Sequence, residues 1–185
     1  DPILLGGSTW PGEEGILLDI YQRLKAEFPT LRLILVPRHA ERAPQVIPEI
    51  EARGLRYALR SGLVPGANPP EMSPEVLLVD TTGELKNLYA VAAVVFVGKS
   101  LTRHGGQNII EPALFGRAIV VGPNMENFQG VVEDFRTAEA VIQVQDAAGL
   151  EGAIQRLLAD PATRQALGQR AAALLERKRG AIQAT

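Results

Sequence analysis

Phe96-Val97-Gly98-Lys99-Ser100-Leu101-Thr102-Arg103-His104-Gly105-Gly106-Gln107-Asn108-Ile109-Ile110-Glu111-Pro112 passes from an apolar run into a polar, glycine-bearing loop. Residues 94–97 have the composition of a buried strand, and residues 107–115 read as a short helix. Strand, loop and helix N-terminus form the arrangement in which open α/β sheets hold phosphorylated ligands. Asn108 and Glu111 are three residues apart, which puts them on one face of a helix. A side-chain amide beside a carboxylate suits the vicinal hydroxyls of a ribose or another sugar. Pro112 is tolerated only in a first helical turn, so this pair belongs at the helix start.

The same alternation continues on both sides of this stretch. Residues 3–5 form a first strand that runs into Gly6-Gly7-Ser8-Thr9. Pro11, Glu13 and Glu14 open a helix, the acidic pair complementing its positive end. Ile16, Leu17, Ile20, Leu24 and Phe28 keep helical spacing until Pro29. Residues 31–36 are nearly all apolar, as in a strand covered on both faces. Pro37-Arg38-His39 closes that strand, and a helix over 41–53 ends at Gly54.

A third strand is expected at 55–59. Residues 61–74 hold four prolines and two glycines and read as a surface loop. A strand at 76–79 ends in Asp80-Thr81-Thr82-Gly83-Glu84-Leu85, and a short helix runs to Tyr89. Beyond the central stretch come a strand at 118–121, Gly122-Pro123-Asn124, a helix over 127–135 and a strand at 141–144. Helices over 147–158 and 163–178, broken at Pro161, close the chain.

Six or seven short apolar strands alternating with helices predict an α/β fold. The form expected is a Rossmann-like, doubly wound parallel sheet with helices on both faces. Residues 1–185 make one domain. Ligands of such sheets bind beyond the carboxyl ends of the strands. The loops expected there are 6–9, 37–39, 80–85, 98–108 and 122–127.

Composition narrows the function. Nineteen basic and 21 acidic side chains leave a net charge of −2 with no basic run, which argues against nucleic acid as partner. Without cysteine there are neither disulfides nor thiolate metal sites, and the two histidines are too few for a zinc site. No metal site and no cofactor is expected. No apolar run approaches the ~20 residues of a membrane span. The chain opens without a methionine or basic leader, directly into a strand. The expected object is therefore a piece cut at a domain boundary.

Individual residues carry two readings each. Gly6-Gly7-Ser8-Thr9 cradles a phosphate with N–H groups and hydroxyls, or is a plain strand-to-helix turn. It has neither the spacing of a P-loop nor the dinucleotide fingerprint. Arg38 pairs with a phosphate or is a surface arginine. Glu84 starts a helix, where a carboxylate is favoured in any case. Lys99, Ser100 and Thr102 meet phosphate or sugar, or line a solvated loop. Gly105-Gly106 lets the backbone approach a ligand or permits a tight turn. Tyr21, Tyr57 and Tyr89 read as ordinary aromatics at the edge of the core.

At Gly105-Gly106-Gln107-Asn108-Ile109-Ile110-Glu111-Pro112 the chain resembles nucleotide-sugar glycosyltransferases of the GT-B fold. More closely it resembles the 3-deoxy-D-manno-octulosonic acid (Kdo) transferases of bacterial lipopolysaccharide biosynthesis. Further motifs stand in the right order: Gly7-Ser8-Thr9 with Pro11-Gly12-Glu13, Val36-Pro37-Arg38-His39, Asp80 to Leu85, Phe96-Val97-Gly98 with Ser100-Leu101, and Gly122-Pro123 to Asn127-Phe128. The resemblance covers about residues 3–180, and its weight lies in the ordered combination.

The resemblance implies the C-terminal, donor-binding half of a two-domain enzyme. That family transfers Kdo from CMP-Kdo to the lipid A precursor, with inversion and without a metal. Carried over, Ser8, Thr9 and Arg38 face the CMP phosphate. Gly83, Glu84 and Leu85 lie beside the nucleotide, while Asn108 and Glu111 bind ribose or sugar hydroxyls. Lys99 and Ser100 complete the donor site. The catalytic base, a carboxylate, belongs to the N-terminal acceptor domain, so no catalytic residue is expected in this chain. Lys99 departs from the family, which more often has glycine there. The family works at the cytoplasmic side of the inner membrane, with peripheral membrane contact through the other half. Two other readings stay open: a different GT-B enzyme such as a UDP-sugar transferase or epimerase, and a non-catalytic nucleotide-binding or docking module.

Overall fold

The computed structural model describes residues 1–69 and 71–184; Pro70, inside the expected 61–74 loop, and Thr185, the last residue of the expected domain, lie outside them. Seven strands form one sheet: β1 Ile3–Thr9, β2 Arg32–Pro37, β3 Tyr57–Leu59, β4 Val76–Leu78, β5 Val94–Val97, β6 Ala118–Val121 and β7 Ile142–Gln143. Their order is β3-β4-β2-β1-β5-β6-β7, and every pairing is parallel. The winding reverses between β1 and β5. A crevice opens at such a switch point, because the loops on either side turn away from each other.

Helices α1 Glu13–Leu24, α2 Ala43–Ala52, α3 Leu85–Tyr89, α4 Ile110–Leu114, α5 Gln129–Thr137, α6 Ala147–Ala159 and α7 Pro161–Gln183 connect and cover the strands. The period-two alternation of each strand feeds two separate cores. Leu4, Leu33, Val94, Phe96 and Val120 face α1, α2 and α6. Leu5, Ile34, Val95, Val97 and Val121 face α3, α4, α5 and α7. Both faces are apolar, which is why the strands appear in sequence as unbroken apolar runs. Among the described residues no helix is long and apolar enough to cross a membrane.

Several expected elements shift. The strand expected over 3–5 runs on through Thr9, so residues 6–9, expected as a loop, belong to β1. The helix expected over 41–53 starts with a 3-10 turn at Ala40–Arg42 before α2. The helix expected over 107–115 shrinks to α4, Ile110–Leu114. Pro112 at its third position would clash with a carbonyl four residues back, so the helix cannot start earlier. Asn108 therefore stands before α4, and its Oδ1 accepts the Ile110 N–H at 2.9 Å. The Asn108–Glu111 relationship is that of a capping turn and not of one helical face.

Candidate functional site

The carboxyl ends of β1, β5 and β6 meet at very close range. A Cβ on Gly98 would stand 2.2 Å from the Ser8 carbonyl oxygen, and one on Gly122 would stand 2.1 Å from that of Ser100. Only glycine lets the backbones approach so closely. Ser100, fully buried, fastens the two ends: its Oγ donates to the Val97 carbonyl at 2.6 Å and accepts the Gly122 N–H at 2.9 Å.

Two buried carboxylates knit the switch point. Glu13 reaches from the first turn of α1 to accept the N–H groups of Trp10 (2.9 Å), Lys99 (2.9 Å), Ser100 (3.2 Å) and Leu101 (3.0 Å). Burial raises its pKa above the ordinary value, while these N–H groups pull it down. Glu14 Oε1 accepts from Arg42 Nη1 at 2.6 Å and from Thr9 Oγ1 at 3.0 Å. Glu14 Oε2, Arg42 Nε and Trp10 Nε1 are buried without hydrogen-bond partners. The sequence reading treated Glu13 and Glu14 as complements of a helix dipole. Their partners on the β5 loop are 86 to 88 residues away and leave no local signal.

On the β2 side, the register between β1 and β2 slips between Gly7 and Thr9, and Ser8 takes φ +53°. Ser8 thereby lines a cavity of about 190 Å³ together with Arg38, Gly83, Glu84 and Leu85. Arg38 is exposed, and its guanidinium has no hydrogen bond or ion pair among the described residues. Glu84 is engaged: Arg60 Nη2 lies 2.9 Å from it, and Thr81 Oγ1 donates to its other oxygen. Gly83 is exposed at φ +81°.

Ser8, Arg38, Gly83, Glu84 and Leu85 are thus brought together around one cavity. Thr9 and Ser100 are not part of that surface. Both are fully buried, and their hydroxyls are bonded inside the edge. The physical reason is the pair of buried carboxylates and the β5–β6 junction that these hydroxyls serve. Glu111 is exposed on α4, and its side chain has no hydrogen bond or ion pair among the described residues.

Tyr89 was read as an ordinary aromatic, yet it links the two halves of the crevice. Its ring is buried, and its hydroxyl lies 3.4 Å from where a Gly7 Cβ would be. Burial raises its pKa, and the negative charge of Glu111 raises it further. Trp10, the one tryptophan, stands edge-on to His39 with centroids 5.6 Å apart. Lys99 Nζ sits 4.7 Å over the same ring. The loop that follows is pinned by Glu126, which meets His104 Nδ1 at 3.0 Å and the Gly105 N–H at 2.6 Å.

A larger cavity, about 540 Å³, opens at the opposite edge between Ile3, Ala93 and Ala118. Its arginines, Arg117 and Arg164, are bonded to backbone carbonyls. The smaller cavity is the better candidate, because it lies at the carboxyl edge and gathers an unpaired cation, a strained serine and a helix start.

No protein-family profile matches the chain. It is 37% identical to the 3-deoxy-D-manno-octulosonic acid transferase of Bordetella pertussis, over all of this chain and 43% of that protein. With the Haemophilus influenzae protein of the same name it shares 34%, over 98% of this chain and 42% of the other. The chain therefore spans less than half the length of these curated relatives. The crystal structure of the C-terminal CMP-Kdo binding domain of WaaA from Acinetobacter baumannii superposes with a TM-score of 0.85 at 34% identity, covering 94% of this chain and 89% of that one.

Proposed function

The chain belongs to the 3-deoxy-D-manno-octulosonic acid transferase family, and on that footing we propose that it is the donor-binding half of an enzyme that moves Kdo from CMP-Kdo to a lipid A precursor. In this reading the phosphate of CMP lies against Ser8 and Arg38. The nucleoside lies along Gly83, Glu84 and Leu85, and Glu111, with Asn108 at the helix start, takes ribose or sugar hydroxyls. Lys99, over the Trp10 ring, is assigned to the same donor site from the β5 side. Thr9 and Ser100 support it from beneath. The observation that carries the reading is the cavity at the carboxyl edge beside β1, which Ser8 and Arg38 both line.

Transfer breaks the bond between the anomeric carbon and the phosphate oxygen, and CMP leaves with the electron pair. The acceptor hydroxyl attacks the opposite face, which inverts the centre, and its proton passes to a carboxylate of the N-terminal domain. Charge building on the CMP phosphate is met here by Arg38 and backbone N–H groups, without a metal in this reading. Contact with the inner membrane and with the lipid acceptor belongs to the other domain.

Titration calorimetry of this chain with CMP, UMP, UDP and GDP tests the proposal. CMP is expected to bind weakly and ahead of the others. Tighter binding of another nucleotide assigns a different GT-B activity, and indifference to all four leaves only a docking module.

A further inference from the structure

Lys99 occupies an unusual place. It sits at φ +57°, a conformation that lysine rarely adopts, and it is held there from both sides. Its N–H donates to Glu13, and its carbonyl accepts the Gly106 N–H at 2.8 Å. This backbone aims the side chain across the switch point, where the ammonium rests over Trp10. Of the basic side chains on the loops near this edge, Arg42 and Arg60 are paired with Glu14 and Glu84. Among the described residues, Lys99, Arg38 and Arg103 form no ion pair. The aromatic face orients the ammonium without neutralising it.

Arg38 and Lys99 lie on opposite sides of β1. Arg38 follows β2 and borders the cavity that Ser8 lines. Lys99 follows β5 and is linked to the β2 end through Trp10 and His39. Two cations converging from neighbouring loops match a ligand with two adjacent anionic groups. A nucleotide-linked octulosonic acid is such a ligand, since its anomeric carbon bears both a carboxylate and the phosphate ester. We propose that Lys99, steadied by Trp10, binds the carboxylate of the sugar acid, while Arg38 attends the phosphate. In this chain Lys99 then adds to the preference for a sugar acid over a neutral sugar on the same nucleotide, at a position where the family more often has glycine. The inference rests on the donor assignment above and deepens it.

Calorimetry with CMP and freshly prepared CMP-Kdo on wild type, Lys99→Gln, Lys99→Gly and Lys99→Arg tests it. The glycine variant suits the left-handed backbone, so a folding defect does not stand between the substitution and its readout. Wild type is expected to prefer CMP-Kdo to CMP. Lys99→Gln and Lys99→Gly should lose that preference by about tenfold or more, the size of a charged hydrogen bond, with CMP affinity unchanged. Lys99→Arg should retain part of it. Equal loss for both ligands would make Lys99 a phosphate contact and overturn the proposal, as would no loss for either. A wild type that binds neither ligand would instead withdraw the donor assignment, and the role of Lys99 with it.

Discussion

The Glu13 carboxylate accepts the backbone N–H of Lys99 at 2.9 Å, joining the first turn of α1 to the end of β5 across 86 residues of chain. Three further N–H groups converge on the same carboxylate. The loop that would face a donor is thus shaped from within by a buried anion. Glu13→Ala leaves these donors without a partner in a site closed to water. A loss of about 3 kcal/mol or more is expected in urea unfolding. Where the variant still folds, exchange of the Lys99 and Leu101 amides should accelerate beyond that of the β1 amides.

Lys99 is strained by its own Cβ, and glycine would not be. A left-handed non-glycine residue costs about 1 kcal/mol, whereas the ammonium over Trp10 returns about 0.5–1 kcal/mol. Lys99→Gly is therefore expected to unfold at a denaturant concentration equal to or above that of wild type. Lys99→Ala keeps the strain and loses the Trp10 contact, so it should fall about 1 kcal/mol below Lys99→Gly.

Asn108 and Glu111 separate stability from binding. Asn108 Oδ1 caps the Ile110 N–H, so Asn108→Ala should cost about 1 kcal/mol of stability, and Asn108→Asp should restore most of it. Glu111 bonds to nothing, so Glu111→Ala should melt with the wild type. Its CMP affinity is expected to fall by about 1–3 kcal/mol in calorimetry. Unchanged affinity would remove Glu111 from the site.

Glu75, just before β4, supplies a pH-dependent share of stability away from the crevice. Burial alone would raise its pKa, but the Arg56 N–H and the Lys25 ammonium, at 2.9 and 3.0 Å, hold it below 4.5. The folded state binds this proton less tightly than the unfolded chain does. Its stabilisation is therefore present above pH 4.5 and lost as pH falls through the folded value. Glu75→Gln should be about 1–2 kcal/mol less stable than wild type at neutral pH. The two unfolding curves should converge on acidification, with nucleotide binding at neutral pH unaltered.

The sheet was legible because it is parallel and covered on both faces. Residues 94–97 and 118–121 stood out as strands for that reason alone, and they are β5 and β6. Helices with a buried stripe, such as α1, were legible too. What could not be read was any group whose partner lies far along the chain. Glu13 and Glu14 look like any acidic helix start until the β5 loop and Arg42 fold over them. Ser100 and Thr9 look like hydroxyls offered to a ligand until β6 and Glu14 claim them. Lys99 was visible as a departure from a glycine position, but only its φ of +57° explains why glycine suits that place. The short α4 follows from Pro112, whose ring excludes a helix reaching back to residue 107.

The central claim is that the ligand site lies at the carboxyl edge, where the loops after β1, β2 and β4 meet. Amide shift mapping in a titration of the isotope-labelled chain with CMP measures this most directly. The account predicts the largest shifts at Ser8, Arg38, Gly83 and Leu85, with smaller ones at Glu111. Shifts confined to the opposite edge, around Val91, Arg117 and Arg164, or none at saturating CMP, would contradict it.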